Sequence, residues 1–134
     1  MAFVTFYEKP GCAGNARQKA LLMASGHVVL VRDLLAEPWR PETLRPFFGD
    51  RPVADWFNRS HPGVKSGDVD PGLYGESDAL ALMCAEPLFI RRPLMESGGI
   101  RMVGFEDDKV DAWIGLKAGK PIGDDCPSEA HRCD

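Results

Sequence analysis

A chain of 134 residues is the size of one domain with room for a sizeable core. Its apolar fraction of 44% and charged fraction of 27% are those of an ordinary globular protein, and a formal charge of -4 with a pI near 5.4 argues against general nucleic-acid binding. The opening MAFVTFYEKPG has no basic leader, and no apolar run nears the roughly 20 residues that span a bilayer, so neither a signal peptide nor a membrane partner is expected. The default is the cytoplasm, where thiols stay reduced.

AFVTFY (2–7) is apolar, β-branched and aromatic, and Pro10-Gly11 stops it, which predicts a buried first strand. NARQKALLMASG follows with good helix formers. Asn15 and Gln18 have the spacing of a capping box, and Gly26 suits the left-handed position beyond a helix end. HVVLVRDL (27–34) is a second strand, apolar enough to be covered on both faces as parallel strands usually are. The natural reading is a β-α-β unit with a right-handed crossover.

Prolines 38, 41, 46 and 52 then allow only short helices, near 41–48 and 52–57, and RSHPGVKSGDVDPGLYG reads as irregular and exposed. ESDALALMCAEP (76–87) is a helix closed by Pro87. LFI-RRP-LMES and GGIRMVGF are two strands around a Ser-Gly-Gly turn, an antiparallel hairpin. EDDKVDAWIGL (106–116) is a final helix with acidic residues at its positive end. From Lys117 the tail is polar and rich in Gly and Pro, which predicts disorder or loose packing. The order is that of an α/β, thioredoxin-like domain (1–116) enlarged by a helical insertion, with a tail over 117–134.

Chemistry centres on KPGCAGNARQK (9–19). Cys12 could be a small buried residue filling a tight turn, or a nucleophile at a helix start. Unpaired amides there favour an anion, Gly11 and Gly14 let the backbone curl around a small anionic group, and Arg17 and Lys19 add positive charge nearby. A tyrosine-phosphatase loop is excluded because its arginine would fall on Gln18. A self-contained dithiol is excluded because Asn15 stands where C-x-x-C needs its second cysteine. Any resolving thiol must come from elsewhere.

Tyr7, Pro10, Cys12, Arg17 and Ser25-Gly26 trace a Y-x-x-P-x-C-x-x-x-R pattern with a helix ending in Ser-Gly, and EPLFIRRPLM precedes a glycine turn and a strand. Together these resemble the arsenate reductase (ArsC) and Spx family over about residues 2–116. FYEKPGCAGNARQKALL, RDLLAEPW and LRPFFGDRPVADWFN look like its nitrogenase-associated branch. The resemblance implies an ArsC-like fold and makes Cys12 the attacking thiol, with glutathione or glutaredoxin resolving the adduct. It makes Arg92 the anion-holding arginine before Pro93, a proline typically cis and facing the cysteine loop. A further arginine of the family falls at Asn58 or Arg59, where most of the wider family has Asn.

The family's last-strand arginine falls near Val103-Gly104-Phe105, where there is none; Arg101 is nearest, in the wrong register. Losing one such bidentate partner costs about 1.5–3 kcal/mol. The sequence therefore points to a glutathione-linked monothiol oxidoreductase acting on a small thiol or oxyanion, rather than to efficient arsenate reduction. Cys12 and Arg92 are the catalytic candidates, with Gly14, Asn15, Arg17, Asn58, Arg59 and Pro93 binding substrate. No tightly bound cofactor or metal is expected. Spx-type regulators bind RNA polymerase and carry a C-x-x-C switch, which is missing here. The alternative is a non-catalytic regulatory or interaction protein associated with nitrogen fixation, whose partner would be a nitrogen-fixation protein.

The remaining candidates have plain readings. Arg91 suits a solvated strand edge, and Cys84 the core. His27 and His61 have no visible partner, and Trp39, Trp56 and Trp113 are packing residues. The tail residues Cys126, His131 and Cys133 fit no compact zinc spacing.

Overall fold

A computed structural model describes residues 1–119 and 122–124. Strand β1 (Phe3–Glu8) leads through a tight turn into helix α1 (Ala13–Ala24), which returns to strand β2 (Val28–Asp33) parallel to β1. The proline-rich stretch forms α2 (Pro41–Leu44) with 3-10 turns over Arg45–Phe47 and Val53–Trp56. It continues into α3 (Pro62–Lys65) and α4 (Glu76–Ala85). Strands β3 (Leu94–Ser97) and β4 (Ile100–Val103) form the hairpin, and α5 (Asp107–Ile114) follows. The sheet order is β2-β1-β3-β4, with β3 antiparallel to both neighbours. This is the thioredoxin-like arrangement, with the insertion between β2 and β3.

Alternation along the strands sorts two cores onto the two faces of the sheet. Val4, Phe6 and Met95 pack with Leu22 of α1 and with Phe105 and Val110. Leu94 and Val103, joined by Tyr7, pack on the other face under the insertion, whose buried side chains include Trp39, Phe47, Phe48, Trp56, Phe57 and Phe89. Rings meet at favourable angles: Phe48 stacks on Trp56 at 4.5 Å, and Tyr7 sits 5.1 Å from Trp39. The prolines keep the insertion's helices short, so aromatic packing rather than helix length holds it together. Among the described residues, no helix is long and apolar enough to cross a membrane.

Several sequence expectations need correction. The cap of α1 is Cys12, not Asn15. Its backbone is extended (φ -74°, ψ 120°) and its Sγ accepts from Asn15 N at 3.5 Å, while Asn15 becomes the third helical residue. The helix does end as expected, since Gly26 takes φ +89° just beyond its cap, Ser25. Strand β2 is not covered on both faces. It is the sheet's edge, and Val28, Leu30 and Val31 are exposed because no described element lies against that side. The strand expected from Leu88 starts only at Leu94, because Pro87–Phe89 turns as a 3-10 helix and the Arg92-Pro93 peptide is cis. The stretch read as irregular contains α3 and a further 3-10 turn, Pro71–Leu73. The final helix closes at Ile114 rather than 116, with Gly115 at φ +87°.

His27 and His61 also have partners. His27 is buried; its Nδ1 accepts from Ala2 N at 3.0 Å, leaving the proton on Nε2 to donate to Gly115 O at 2.7 Å. His61 stacks on Phe89 at 3.7 Å and its Nδ1 accepts from Gly63 N. The three tryptophans pack as expected, Trp113 only in part. The tail's residues 122–124 are bonded to the body, as described below; Cys126, His131 and Cys133 lie outside the described residues.

Candidate functional site

The cysteine loop is built from local backbone chemistry. Gly11, at φ +81°, turns the chain out of β1 in a region that other residues rarely adopt. Cys12 N then donates to Lys9 O at 3.1 Å, and Cys12 O accepts the first helical amide, Ala16 N, at 3.0 Å. Asn15 Oδ1 reaches back to Lys9 N at 3.0 Å, so the turn is closed from both ends. Asn15 Nδ2 donates to Gln18 Oε1 at 2.9 Å, and both side chains are buried. Satisfying buried amides this way matters, since each left unpaired would cost about 1–3 kcal/mol.

Cys12 itself is 4% exposed. The cationic surroundings expected from the sequence are thinner than the residue types implied. Lys19 is paired with Glu8 at 2.5 Å, and Arg17 is exposed on α1.

The second half of the site is an arginine-rich wall. A cavity of about 700 Å³ is lined by Arg51, Asn58, Arg59, Arg91 and Arg92, with Asp55, Phe105, Glu106, Asp107, Asp108, Gly123 and Asp124 among the rest. Arg92 is buried beside the cis bond to Pro93. The pairing of Tyr7 with Leu94 sets Pro93 opposite the end of β1, where the cysteine loop begins. Among the described residues the cavity walls do not include Cys12, Gly14, Asn15 or Arg17, so the expected site residues form two adjoining groups rather than one.

Asn58 is committed to its own loop. Its Nδ2 donates to Leu88 O at 3.0 Å, and its Oδ1 accepts from Ser60 N at 3.0 Å. Arg59 is the exposed member, 3.8 Å from Asp55. Arg101 lies elsewhere, ion-paired to Glu96 at 3.1 Å, so it does not stand in for the missing last-strand arginine.

Glu106 organises the wall. Burial pushes its carboxyl up, but the hydrogen bond and charge of Arg51, with Lys109 and Arg91 adding to them, outweigh burial and hold it below the usual carboxylate range. Burial and then the Glu42 charge push the Cys84 thiol up, as suits a packing residue.

Three tail residues join the two groups. Asp107 accepts from Ile122 N at 3.0 Å and from Gly123 N at 2.7 Å, and Gly123 O accepts from Gln18 Nε2 at 2.8 Å. Asp124 then accepts from Arg91 Nε at 2.8 Å and from Phe105 N at 2.5 Å. Sequence reasoning missed Gln18, Arg91, Asp107 and Asp124 as site neighbours. Gln18 carried a signal, an amide at the spacing that Asn15 could reach, whereas the Arg91–Asp124 pairing is long-range and left none. Among the described residues, no group of three or more His, Cys, Asp or Glu is placed to hold a metal.

A four-stranded sheet in the order β2-β1-β3-β4, with helices and an insertion before the hairpin, is an ArsC-like, thioredoxin-like fold. The solved structures agree on the fold. An ArsC family related protein from Bacteroides fragilis superposes with a TM-score of 0.71 at 21% identity, covering 81% of this chain and 97% of that one. An arsenate reductase from Vibrio cholerae gives 0.67 at 21%, covering 81% and 95%. An ArsC related protein from Brucella melitensis gives 0.62 at 27%, covering 84% and 95%.

No family model matches the chain. It is, however, 56% identical over 137 residues to the uncharacterized 15.7 kDa protein in the draG 3′ region of Rhodospirillum rubrum, covering 99% of this chain and 95% of that protein. The chain belongs to that protein's family.

Proposed function

We propose that the protein is a monothiol oxidoreductase in which Cys12 is the nucleophile and a small external thiol, glutathione, resolves the adduct. The observation that carries this reading is the placement of Cys12 as the cap of α1, with the cis Arg92-Pro93 bond just before β3, opposite the end of β1. In the reaction, the Cys12 thiolate attacks one sulfur of a glutathione mixed disulfide. The S–S bond breaks, the released thiol leaves with a proton from solvent, and Cys12 holds glutathione. A second glutathione thiolate attacks that bond, giving oxidised glutathione and free Cys12. One disulfide is reduced and two glutathione sulfurs end joined, so the electrons balance. Arg92 holds the anionic end of the substrate against the cavity wall, and Pro93, Gly14 and Asn15 shape the loop around the sulfur.

This chemistry needs a reducing compartment and supports a cytoplasmic location. It also extends to a small oxyanion, with the exposed Arg59 of the cavity wall as a partner, although among the described residues the wall has no arginine from β4. The test is glutathione-dependent reduction of a mixed disulfide, and of arsenate, by wild type and Cys12→Ser. A fall of about a hundredfold or more in Cys12→Ser supports the reading. Equal, negligible rates in both overturn it.

A second reading, a regulatory or interaction protein associated with nitrogen fixation, is favoured by the exposed edge at β2. Leu30 and Val31 stand 53% and 49% exposed there, a surface suited to a protein partner.

A further inference from the structure

Arg91 occupies a position that the sequence reads as a solvated edge, and three observations say otherwise. First, its guanidinium lies flat on Gly104, where an added Cβ would come within 2.6 Å of its Cζ and Nε. Gly104, at φ +75° and donating to Pro93 O at 2.8 Å, is held in place and leaves room for the arginine to lie there. Second, Arg91 is anchored from its own backbone, whose N–H donates to Trp56 O at 2.9 Å, and from Nη1, which reaches Asp55 O at 3.3 Å. Third, it holds an anion. Arg91 Nε and Phe105 N each bind one oxygen of the Asp124 carboxylate.

We infer that the Arg91 guanidinium and the Phe105 N–H form an oxyanion-binding subsite of the cavity, and that Asp124 fills it in the resting chain as an internal competitor. The subsite takes a ligand with two acceptor oxygens on one centre, as a phosphate-like oxyanion or a carboxylate has. The competitor is delivered by a short strap. Asp107 grips the amides of residues 122 and 123, and Gln18 grips Gly123 O, so Asp124 reaches the wall with little freedom left to lose. Among the described residues, four other carboxylates on the wall oppose an anion: Glu106, 3.8 Å from Arg91 Nη2 and paired with Arg51; Asp55, 3.8 Å from Arg59; Asp107, engaged by the strap's amides; and Asp108.

The inference deepens the proposed function, since the oxyanion would be the substrate's or the glutathione carboxylate's. It is testable without the thiol chemistry. In the full chain carrying Cys12→Ser, Asp124→Asn and Asp124→Ser are titrated with inorganic phosphate and, separately, with glutathione, following the Phe105 amide and Arg91 Nε–H resonances. At least one probe should bind about tenfold more tightly to each variant than to the Asp124 chain, because a tethered competitor at millimolar effective concentration has been removed. Phosphate as that probe assigns the subsite to an oxyanion substrate, and glutathione assigns it to the co-substrate.

Adding Arg91→Gln should erase the gain, and Arg91→Lys should restore only part of it, because an ammonium lacks the directed Nε–H. No gain with either probe, or a gain that survives Arg91→Gln, overturns the subsite. Failure of the proposed function reads out separately: tighter binding in Asp124→Asn with no Cys12-dependent turnover leaves the subsite standing and removes the oxidoreductase.

Discussion

The cysteine loop and the arginine wall are held by different physics. The loop is closed by hydrogen bonds among near neighbours: Lys9, Cys12, Asn15 and Gln18 lie within ten residues of one another. The wall gathers side chains from residues 51–60, 91–92, 105–108 and 123–124, and it stands on the aromatic core through Trp56, whose carbonyl anchors Arg91. A nucleophile needs a fixed backbone, which a short turn can supply alone. A concentration of like charge needs interleaved carboxylates, and these come from wherever the fold can bring them. The wall has them in Glu106, Asp55 and Asp124.

Substitutions can break this contrast in order of size. Trp56→Ala should do most, removing a fully buried indole stacked on Phe48 and cutting stability by about 3–5 kcal/mol. Urea unfolding would show it. Asn15→Ala should come next, at about 1–3 kcal/mol, because it strips partners from Lys9 N and Gln18 Oε1. Because Asn15 holds Gln18, whose amide grips Gly123 O beside Asp124, the Phe105 amide resonance should shift as well, and an unmoved resonance would mean that the strap does not depend on the loop.

The Glu106 pairing should show itself in acid. Its carboxyl titrates lower in the folded chain than in the unfolded one, so its contribution is present above the unfolded value of about 4.3 and is lost as the pH falls through the lower, folded value. Glu106→Gln should remove that part of the acid slope, on the scale of a partly exposed pair, about 0.2–1 kcal/mol. An unchanged slope would mean that Arg51 does not hold the carboxylate. The smallest effect belongs to Arg59→Gln. This side chain is 70% exposed and 3.8 Å from Asp55, so the change in stability should stay within about 0.5 kcal/mol.

The same contrast explains what the sequence made legible. The order of strands and helices could be read, because periodicity and Pro-Gly punctuation are local signals. So could the cysteine turn, since Gly11 and the helix formers after it sit beside Cys12. The capping residue was misplaced because Asn outranks Cys as a cap by propensity, while here the extended backbone at Cys12 and the bond from Asn15 back to Lys9 N decide. Strand β2 was misread because an apolar composition suits a covered strand and an exposed edge alike; only sheet order distinguishes them. Arg91 was passed over because its partners lie 33 residues on at Asp124 and across the cavity at Glu106, and no single-residue pattern carries that separation.

His27 gives the fold a consequence of its own. One imidazole ties the amide of Ala2, before the first strand, to the carbonyl of Gly115, after the last helix. The two extremities of the domain thus share a single fastening, and the polar tail departs from it: Lys117 N donates to Ser25 Oγ, two residues away from the histidine. Trimming the first residues, or fusing a bulky tag directly to them, would therefore be felt where the tail begins.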